Sequence, residues 1–390
     1  MVQVDKPLDL LGGLTPNEFM KNYWQRKPLL VKGAFKDFQN PISPDELAGL
    51  SLEEEIESRI VIENGNTPWE LLHGPFDMQT YHNLPETNWT LLVQAVDQVM
   101  PNVAELFKPF QFLPNWRFDD IMISYATEGG SVGPHFDYYD VFLIQSLGTR
   151  LWKIGPPADS HSPRLDHEHL RLLAEFKQSD EWLLEPGDML YLPPQYAHYG
   201  IATSNCMTIS VGLRAPSSEE ILVHYTDFLS QFLPEEERYS DADQQAISSN
   251  SYFIDKQVIK RLRKILQMAL ADDQKLITWF GQYVTEPRYP ERLIGEDISE
   301  VALKELIKNS AIIVKNPSAK LAWTEYANES ILFASGYSRN FPKPYNELLK
   351  LICETDSLYE GNLANWLGDS IALTLLTELI KQGTLEFFNE

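Results

Sequence analysis

Cysteine is nearly absent from this chain. Cys206 and Cys353 are the only two in 390 residues, and they lack both metal-type spacing and a disulfide framework. That scarcity fits a reducing compartment, so a cytoplasmic protein is expected. Positive charge is also short: 32 Lys and Arg stand against 56 Asp and Glu, a formal charge of −24. A field of that sign repels phosphates and attracts cationic partners, and no Lys/Arg-dense recognition helix stands out. Direct nucleic-acid binding is therefore not expected. No run of about eighteen apolar residues occurs, so no membrane span is expected. The opening Met1-Val2-Gln3-Val4-Asp5-Lys6-Pro7 lacks the basic, apolar, small-residue order of a secretory signal. Internal repeats and low-complexity tracts are missing too.

Hydrophobic residues make up 43% and aromatics 12%, which is a folded globular composition with material for two or three domains. The first hundred residues read as mixed α/β. Thr15-Pro16-Asn17-Glu18 and Ser43-Pro44-Asp45-Glu46 each carry an N-cap with proline at the first helical position. Leu29-Leu30-Val31 is a short apolar strand, and Asn88-Trp89 opens a third helix through Leu91, Leu92, Ala95, Val96 and Val99. From about residue 118 the period becomes that of strands: 121–125, 140–146, 150–154, 182–184, 188–192 and 207–211. Many short strands between Gly and Pro turns predict an antiparallel sandwich or barrel. The segment 155–181 reads as a polar, partly helical insertion. Beyond Pro216-Ser217-Ser218 helical periodicity returns at 219–232, 255–271 and 272–284, and the last ninety residues mix helices and strands.

The chemistry concentrates in His135-Phe136-Asp137 and in His198, which follows Pro193-Pro194-Gln195-Tyr196-Ala197. Side chains at i and i+2 of a strand point the same way, so His135 and Asp137 can reach one ion, and His198 from a later strand or turn completes a facial triad. Two imidazoles and one carboxylate leave open positions on an octahedral metal, the pattern of non-heme Fe(II) oxygenases. Gly129-Gly130-Ser131-Val132-Gly133-Pro134 lets backbone approach the site closely. Arg150 has the fork geometry for a carboxylate, and Ser124, Tyr125 and Thr208 offer hydroxyls on neighbouring strands. Glu128, Tyr138, Tyr139 and Asp140 flank the motif as candidate substrate contacts. Asp166-His167-Glu168-His169, with His161, forms a competing cluster in the polar insertion. His73, His82 and His224 have no evident partners.

These motifs, with Tyr23-Trp24-Gln25-Arg26-Lys27-Pro28-Leu29, Pro41-Ile42-Ser43-Pro44-Asp45-Glu46-Leu47, Asp119-Asp120-Ile121-Met122-Ile123-Ser124, Tyr139-Asp140-Val141-Phe142 and Glu185-Pro186-Gly187-Asp188-Met189-Leu190-Tyr191, resemble the JmjC (cupin-like) Fe(II)/2-oxoglutarate oxygenases, and within them the bacterial ribosomal oxygenases. The resemblance implies a mainly β catalytic domain, a double-stranded β-helix with an α/β flank, over 1–215. It implies a helical dimerisation region over 219–300, a winged-helix-like domain over 301–390, and a homodimer. His135, Asp137 and His198 match the iron ligands, Arg150 the holder of the distal 2-oxoglutarate carboxylate, and Ser124 a polar position of that pocket. Thr208 stands where an Asn is expected. The implied reaction consumes 2-oxoglutarate and O2 and hydroxylates C-3 of an arginine in large-subunit ribosomal protein sixteen, a basic partner suited to an acidic enzyme. The alternatives are the same chemistry on a histidine of another ribosomal protein, a non-oxygenase metal cupin, or a DNA-binding regulator.

Overall fold

A computed structural model describes residues 4–64, 68–244 and 250–388, so Met1, Val2 and Gln3 of the opening segment lie outside the described residues. The chain divides into two compact units, Met1–Ala215 and Pro216–Glu390.

The first unit begins with the two capped helices. Thr15 Oγ1 accepts from the Glu18 N–H while the Glu18 carboxylate accepts from the Thr15 N–H, starting α1 (Pro16–Asn22). Ser43 and Glu46 repeat this reciprocal cap for α2 (Pro44–Leu50). Two further short helices, α3 (Met78–Asn83) and α4 (Pro101–Ala104), complete the flank. Eleven strands follow in chain order: β1 (Leu29–Val31), β2 (Ser58–Asn64), β3 (Pro68–His73), β4 (Trp89–Val93), β5 (Phe118–Ala126), β6 (Asp140–Leu147), β7 (Arg150–Pro157), β8 (Asp180–Leu184), β9 (Met189–Leu192), β10 (Tyr196–Ala202) and β11 (Cys206–Leu213). They form an eight-stranded antiparallel sheet, β1-β9-β6-β11-β5-β4-β2-β3, and a three-stranded one, β10-β7-β8.

Strand alternation assigns the two faces of the large sheet. Ile121, Ile123, Phe142, Ile144, Ile209 and Val211 pack outward on the helical flank with Phe19 of α1. Val141, Leu143, Leu190 and Leu192 point inward, against Trp152, Ile154 and Leu184 of the small sheet. Two antiparallel sheets closed on one another in this way make the double-stranded β-helix.

Three local expectations change. The helix expected from Asn88 is instead strand β4, followed by a short 3-10 turn at Val96–Gln98. β4 lies between β2 and β5 and is covered on both faces, so its apolar run lacks alternation and mimics a helical stripe. The insertion 155–181 contains no helix; β7 extends to Pro157, and a single bridge joins Arg164 to Leu173 before β8. Asp140 is no substrate contact. It sits on the outward row of β6, is 0% exposed, and is bound by Arg117 Nη2 (2.7 Å), Tyr191 Oη (2.6 Å) and Gln25 Nε2 (3.0 Å). Burial raises its pKa, and the hydrogen bonds from Gln25, Tyr191 and Arg117 with the guanidinium's charge oppose that shift.

In the second unit, α5 (Ser218–Ser230) and α7 (Asp273–Thr285) share a small core of Tyr225, Leu229 and Trp279. Between them in sequence, α6 (Lys256–Ala269) buries no residue. Although no Lys/Arg-dense recognition helix was expected, α6 carries Lys256, Lys260, Arg261, Arg263 and Lys264 with no acid, opposite an exposed stripe of Ile259, Leu262, Ile265 and Leu266. Arg261 is paired with Asp243. The remainder comprises α8 (Glu300–Lys308), β12 (Ile313–Lys315), β13 (Leu321–Tyr326), β14 (Glu329–Ala334), β15 (Tyr337–Pro342), α9 (Asn346–Glu354), β16 (Ser357–Leu358), α10 (Glu360–Leu363), α11 (Ser370–Lys381) and β17 (Leu385–Phe387), around one apolar core. The β13-β14-β15 sheet and the small β16-β12-β17 sheet give it the helix-and-wing character of a winged helix.

Removing one partner of the Arg117–Asp140 pair leaves a buried charge uncompensated. Arg117→Ala is expected to destabilise the first unit by about 3 kcal/mol, read as a lower denaturation midpoint with an unchanged slope.

Candidate metal and co-substrate site

His135 and Asp137 lie not within a sheet strand but on an extended loop laid against β10. The His135 N–H donates to the His198 carbonyl (3.0 Å) and the His198 N–H to the His135 carbonyl (2.8 Å). This isolated bridge makes the two histidines a directly opposed cross-strand pair, with ring centroids 4.3 Å apart. The Asp137 carbonyl accepts from the Gln195 N–H (2.6 Å), which continues the pairing. Asp137 Oδ2 then stands 3.8 Å from His135 Nε2 and 3.6 Å from His198 Nε2. One donor atom from each of the three lies within 4.8 Å of the others, and theirs is the only such group of three among the described residues.

The donor set fits a divalent metal. His135 Nδ1 is 2.9 Å from the Gly133 carbonyl, and His198 Nδ1 is 2.9 Å from the Tyr196 carbonyl. A carbonyl can only accept, so each Nδ1 carries the proton and each Nε2 presents a lone pair to the common centre. Burial, and then the neighbouring His135, lower the His198 pKa to about 4, so this imidazole is neutral and ligand-ready at physiological pH. The Tyr139 hydroxyl faces Asp137, and its pKa is raised well above its usual value, by burial first and then by the Asp137 charge. The residue as a whole is 42% exposed, so Tyr139 stands at the edge of the site beside a donor.

The interior beyond the triad suits a dicarboxylate. Arg150, on the inward row of β7, is 3% exposed, and its Nε and Nη2 are buried without a hydrogen-bond partner. A buried guanidinium left this way calls for an anion. Ser124 and Thr208 face each other in register on β5 and β11, and both are buried. Their protons are already committed, Ser124 to the Thr208 carbonyl (3.4 Å) and Thr208 to Gln145 Oε1 (3.1 Å), which leaves them polar walls rather than free donors.

Other expected positions lie outside the metal and co-substrate interior. Glu128 is an exposed turn residue whose N–H meets Asn205 Oδ1, near Ala202, four residues along β10 from His198. Tyr138 is 54% exposed, with its ring against Phe136. The competing histidine cluster does not converge. His167 Nδ1 accepts from the backbone N–H groups of His169 and Leu170, and its Nε2 donates to the Trp69 carbonyl (2.7 Å), tying the insertion to β3. His73 packs edge-on to His169, and His224 packs against Tyr283. Sequence reasoning missed Tyr139 as an orienting group and Trp152 beside Arg150. The alternation Arg150, Trp152, Ile154 was the available signal for the second.

A double-stranded β-helix holding a His-x-Asp…His triad beside a buried arginine defines the facial-triad class of metal enzymes. Comparison with known proteins narrows the class. The JmjC domain family model matches residues 105–221, and the ROXA-like winged helix model matches 268–386. The chain is 34% identical to the ribosomal protein uL16 3-hydroxylase of Escherichia coli K12, over 94% of this chain and 96% of that protein. It is 30% identical to a probable ribosomal oxygenase of Haemophilus influenzae, over 90% of each. An X-ray structure of E. coli ycfD superposes with a TM-score of 0.84 at 32% identity, covering 96% of this chain and 98% of that one. The same E. coli ribosomal oxygenase in complex with cobalt and 2-oxoglutarate superposes at 0.82, over 96% and 99%. The chain belongs to the JmjC-domain ribosomal oxygenases.

The unpartnered Arg150 carries a stability consequence. Arg150→Met keeps the bulk of the stem and removes the buried unpaired donors, so the ligand-free protein is expected to gain about 1 kcal/mol. Chemical denaturation measures this, and an equal loss would show that the guanidinium is satisfied within the fold.

Proposed function

We propose that this chain is an Fe(II)- and 2-oxoglutarate-dependent protein hydroxylase that adds a hydroxyl to C-3 of an arginine in ribosomal protein uL16, large-subunit protein sixteen. The observation that carries the chemistry is the convergence of His135, Asp137 and His198 beside the unpartnered Arg150. The target is supported by the near full-length similarity to the uL16 3-hydroxylase. The histidyl-hydroxylase relative from Brugia malayi matches only 33% of this chain, which makes the histidine target the weaker reading. Membership of an oxygenase family likewise leaves the non-oxygenase cupin without support.

When bound, Fe(II) with 2-oxoglutarate and O2 supplies the oxidation: the co-substrate loses CO2 to become succinate, and one oxygen atom enters the substrate C–H bond. The chain's own residues do the rest. His135, Asp137 and His198 would hold the metal through two imidazole nitrogens and one carboxylate oxygen. Tyr139 and the two backbone carbonyls at Gly133 and Tyr196 fix the orientation of those side chains. Arg150 neutralises the far carboxylate, between the walls made by Ser124 and Thr208. The apolar inward row of Val141, Leu143, Leu190 and Leu192 keeps water from the interior. Tyr138, exposed next to the triad, offers a ring on which a guanidinium can stack. The charge of −24 attracts a basic ribosomal protein over long range.

The catalytic domain is 1–215, with dimerisation through the helical region 219–300 and a winged-helix domain in 301–390. The protein works in the cytoplasm as a homodimer. The dimer is supported by α6, whose exposed Ile259, Leu262, Ile265 and Leu266 form a continuous stripe of the kind that marks an interface. Leu262→Asp with Leu266→Asp is expected to convert the protein to a monomer in light-scattering measurements, and a wild-type monomer would remove the proposal.

The reaction itself is checked by incubating a uL16 peptide with enzyme, Fe(II), ascorbate, O2 and 2-oxoglutarate. One added oxygen, about 16 Da, is expected on arginine, and it should disappear without 2-oxoglutarate and in Asp137→Ala. Succinate formation with whole ribosomes but no gain on the peptide would move the target. Full activity in Asp137→Ala would overturn the triad.

A further inference from the structure

Trp152 lies between the two ends of the site, and no step described so far uses it. Arg150, Trp152 and Ile154 point inward from β7, opposite Ala202, Gly200 and His198 of β10 respectively. On the facing strand only Gly200 therefore stands on the inward row between the metal ligand His198 and Ala202, the residue opposite the arginine. Trp152 fills that interval: its ring centroid is 5.9 Å from that of His198 and 5.8 Å from the Arg150 guanidinium. Gly200 is required for this seating, because a Cβ there would come within 2.8 Å of the Trp152 six-membered ring. The indole is 5% exposed, yet its N–H has no hydrogen-bond partner.

A buried tryptophan normally finds a partner for its N–H, and leaving the donor unmade costs about 1–3 kcal/mol. Phenylalanine would pack over Gly200 without that cost. The donor also stands next to two more unpartnered donors, Arg150 Nε and Nη2, on the same strand and the same inward row. Three orphaned donors on one inward row, beside a metal triad, match a ligand that carries several oxygen acceptors.

We propose that the Trp152 indole N–H is a donor to the dicarboxylate co-substrate, acting with Arg150 and seated for that purpose by Gly200. This rests on the reading that the interior takes 2-oxoglutarate. Trp152 then sets affinity for the co-substrate without contacting the metal.

The test uses the full-length Zn(II)-loaded protein, which binds without turning over. Calorimetric titration with 2-oxoglutarate is compared between wild type and Trp152→Phe, with zinc content and melting temperature recorded for both. About a tenfold weaker Kd in Trp152→Phe, at unchanged zinc content, is expected from loss of one hydrogen bond to a charged group. In turnover the same variant should raise the KM for 2-oxoglutarate while leaving kcat for the peptide near wild type. Should Trp152→Phe fail to fold, wild-type protein labelled with 15N-tryptophan gives an independent readout. One buried indole N–H resonance should move downfield when 2-oxoglutarate is added. An unchanged Kd in a folded Trp152→Phe, or indole resonances that all stay in place on saturation, overturns the proposal. Failure of the wild-type protein to bind 2-oxoglutarate at all would instead overturn the functional reading beneath it.

Discussion

The paired backbone hydrogen bonds between His135 and His198 are the constraint on which the site depends. They join a loop and a strand that are far apart in the chain, and they set the two imidazoles side by side at cross-strand distance, with their planes 62° apart. Asp137 is held by the same pairing through its carbonyl and Gln195. The backbone pairing thus sets the spacing of the two histidines. The carbonyls of Gly133 and Tyr196 then fix both ring tautomers, so binding a metal requires neither deprotonation nor ring rotation at His198. The glycine-rich run before His135 serves this geometry directly. Gly133 has φ of +81°, and any side chain there would press on Leu172.

The two faces of the large sheet treat polar groups in opposite ways. On the outward face Asp140 is buried but fully answered by Arg117, Tyr191 and Gln25, and the network stitches β6 and β9 to the N-terminal flank. On the inward face Arg150 and Trp152 are buried and unanswered. The first arrangement secures the fold. The second stores a cost that a dianionic ligand relieves, which concentrates binding free energy at the co-substrate.

The metal triad was legible in the sequence because ligand chemistry restricts residue type and the His-x-Asp spacing restricts geometry. Arg150 was legible as a guanidinium at the start of a strand soon after the motif. Asp140 was not, since proximity to a motif says nothing about which face of a strand a residue occupies. The step from the loop into β6 turns Val141 and Leu143 inward and Asp140 outward. The segment after Asn88 was misread because a strand buried on both faces has no two-residue period. The cations of α6 escaped notice because the whole-chain charge of −24 hid a local excess of the opposite sign. Helix starts at Thr15 and Ser43 were readable to the residue, since a capping box is a purely local interaction.

The central claim is that two imidazoles and one carboxylate, positioned by the His135–His198 pairing, hold one metal. X-ray absorption at the iron edge of the anaerobic Fe(II) protein tests it most directly, because imidazole ligands produce a countable outer-shell scattering pattern. The account predicts two imidazoles in an otherwise oxygen-ligated six-coordinate shell, falling to one in His198→Ala. One or three imidazoles in the wild-type protein, or an unchanged spectrum in His198→Ala, would contradict it.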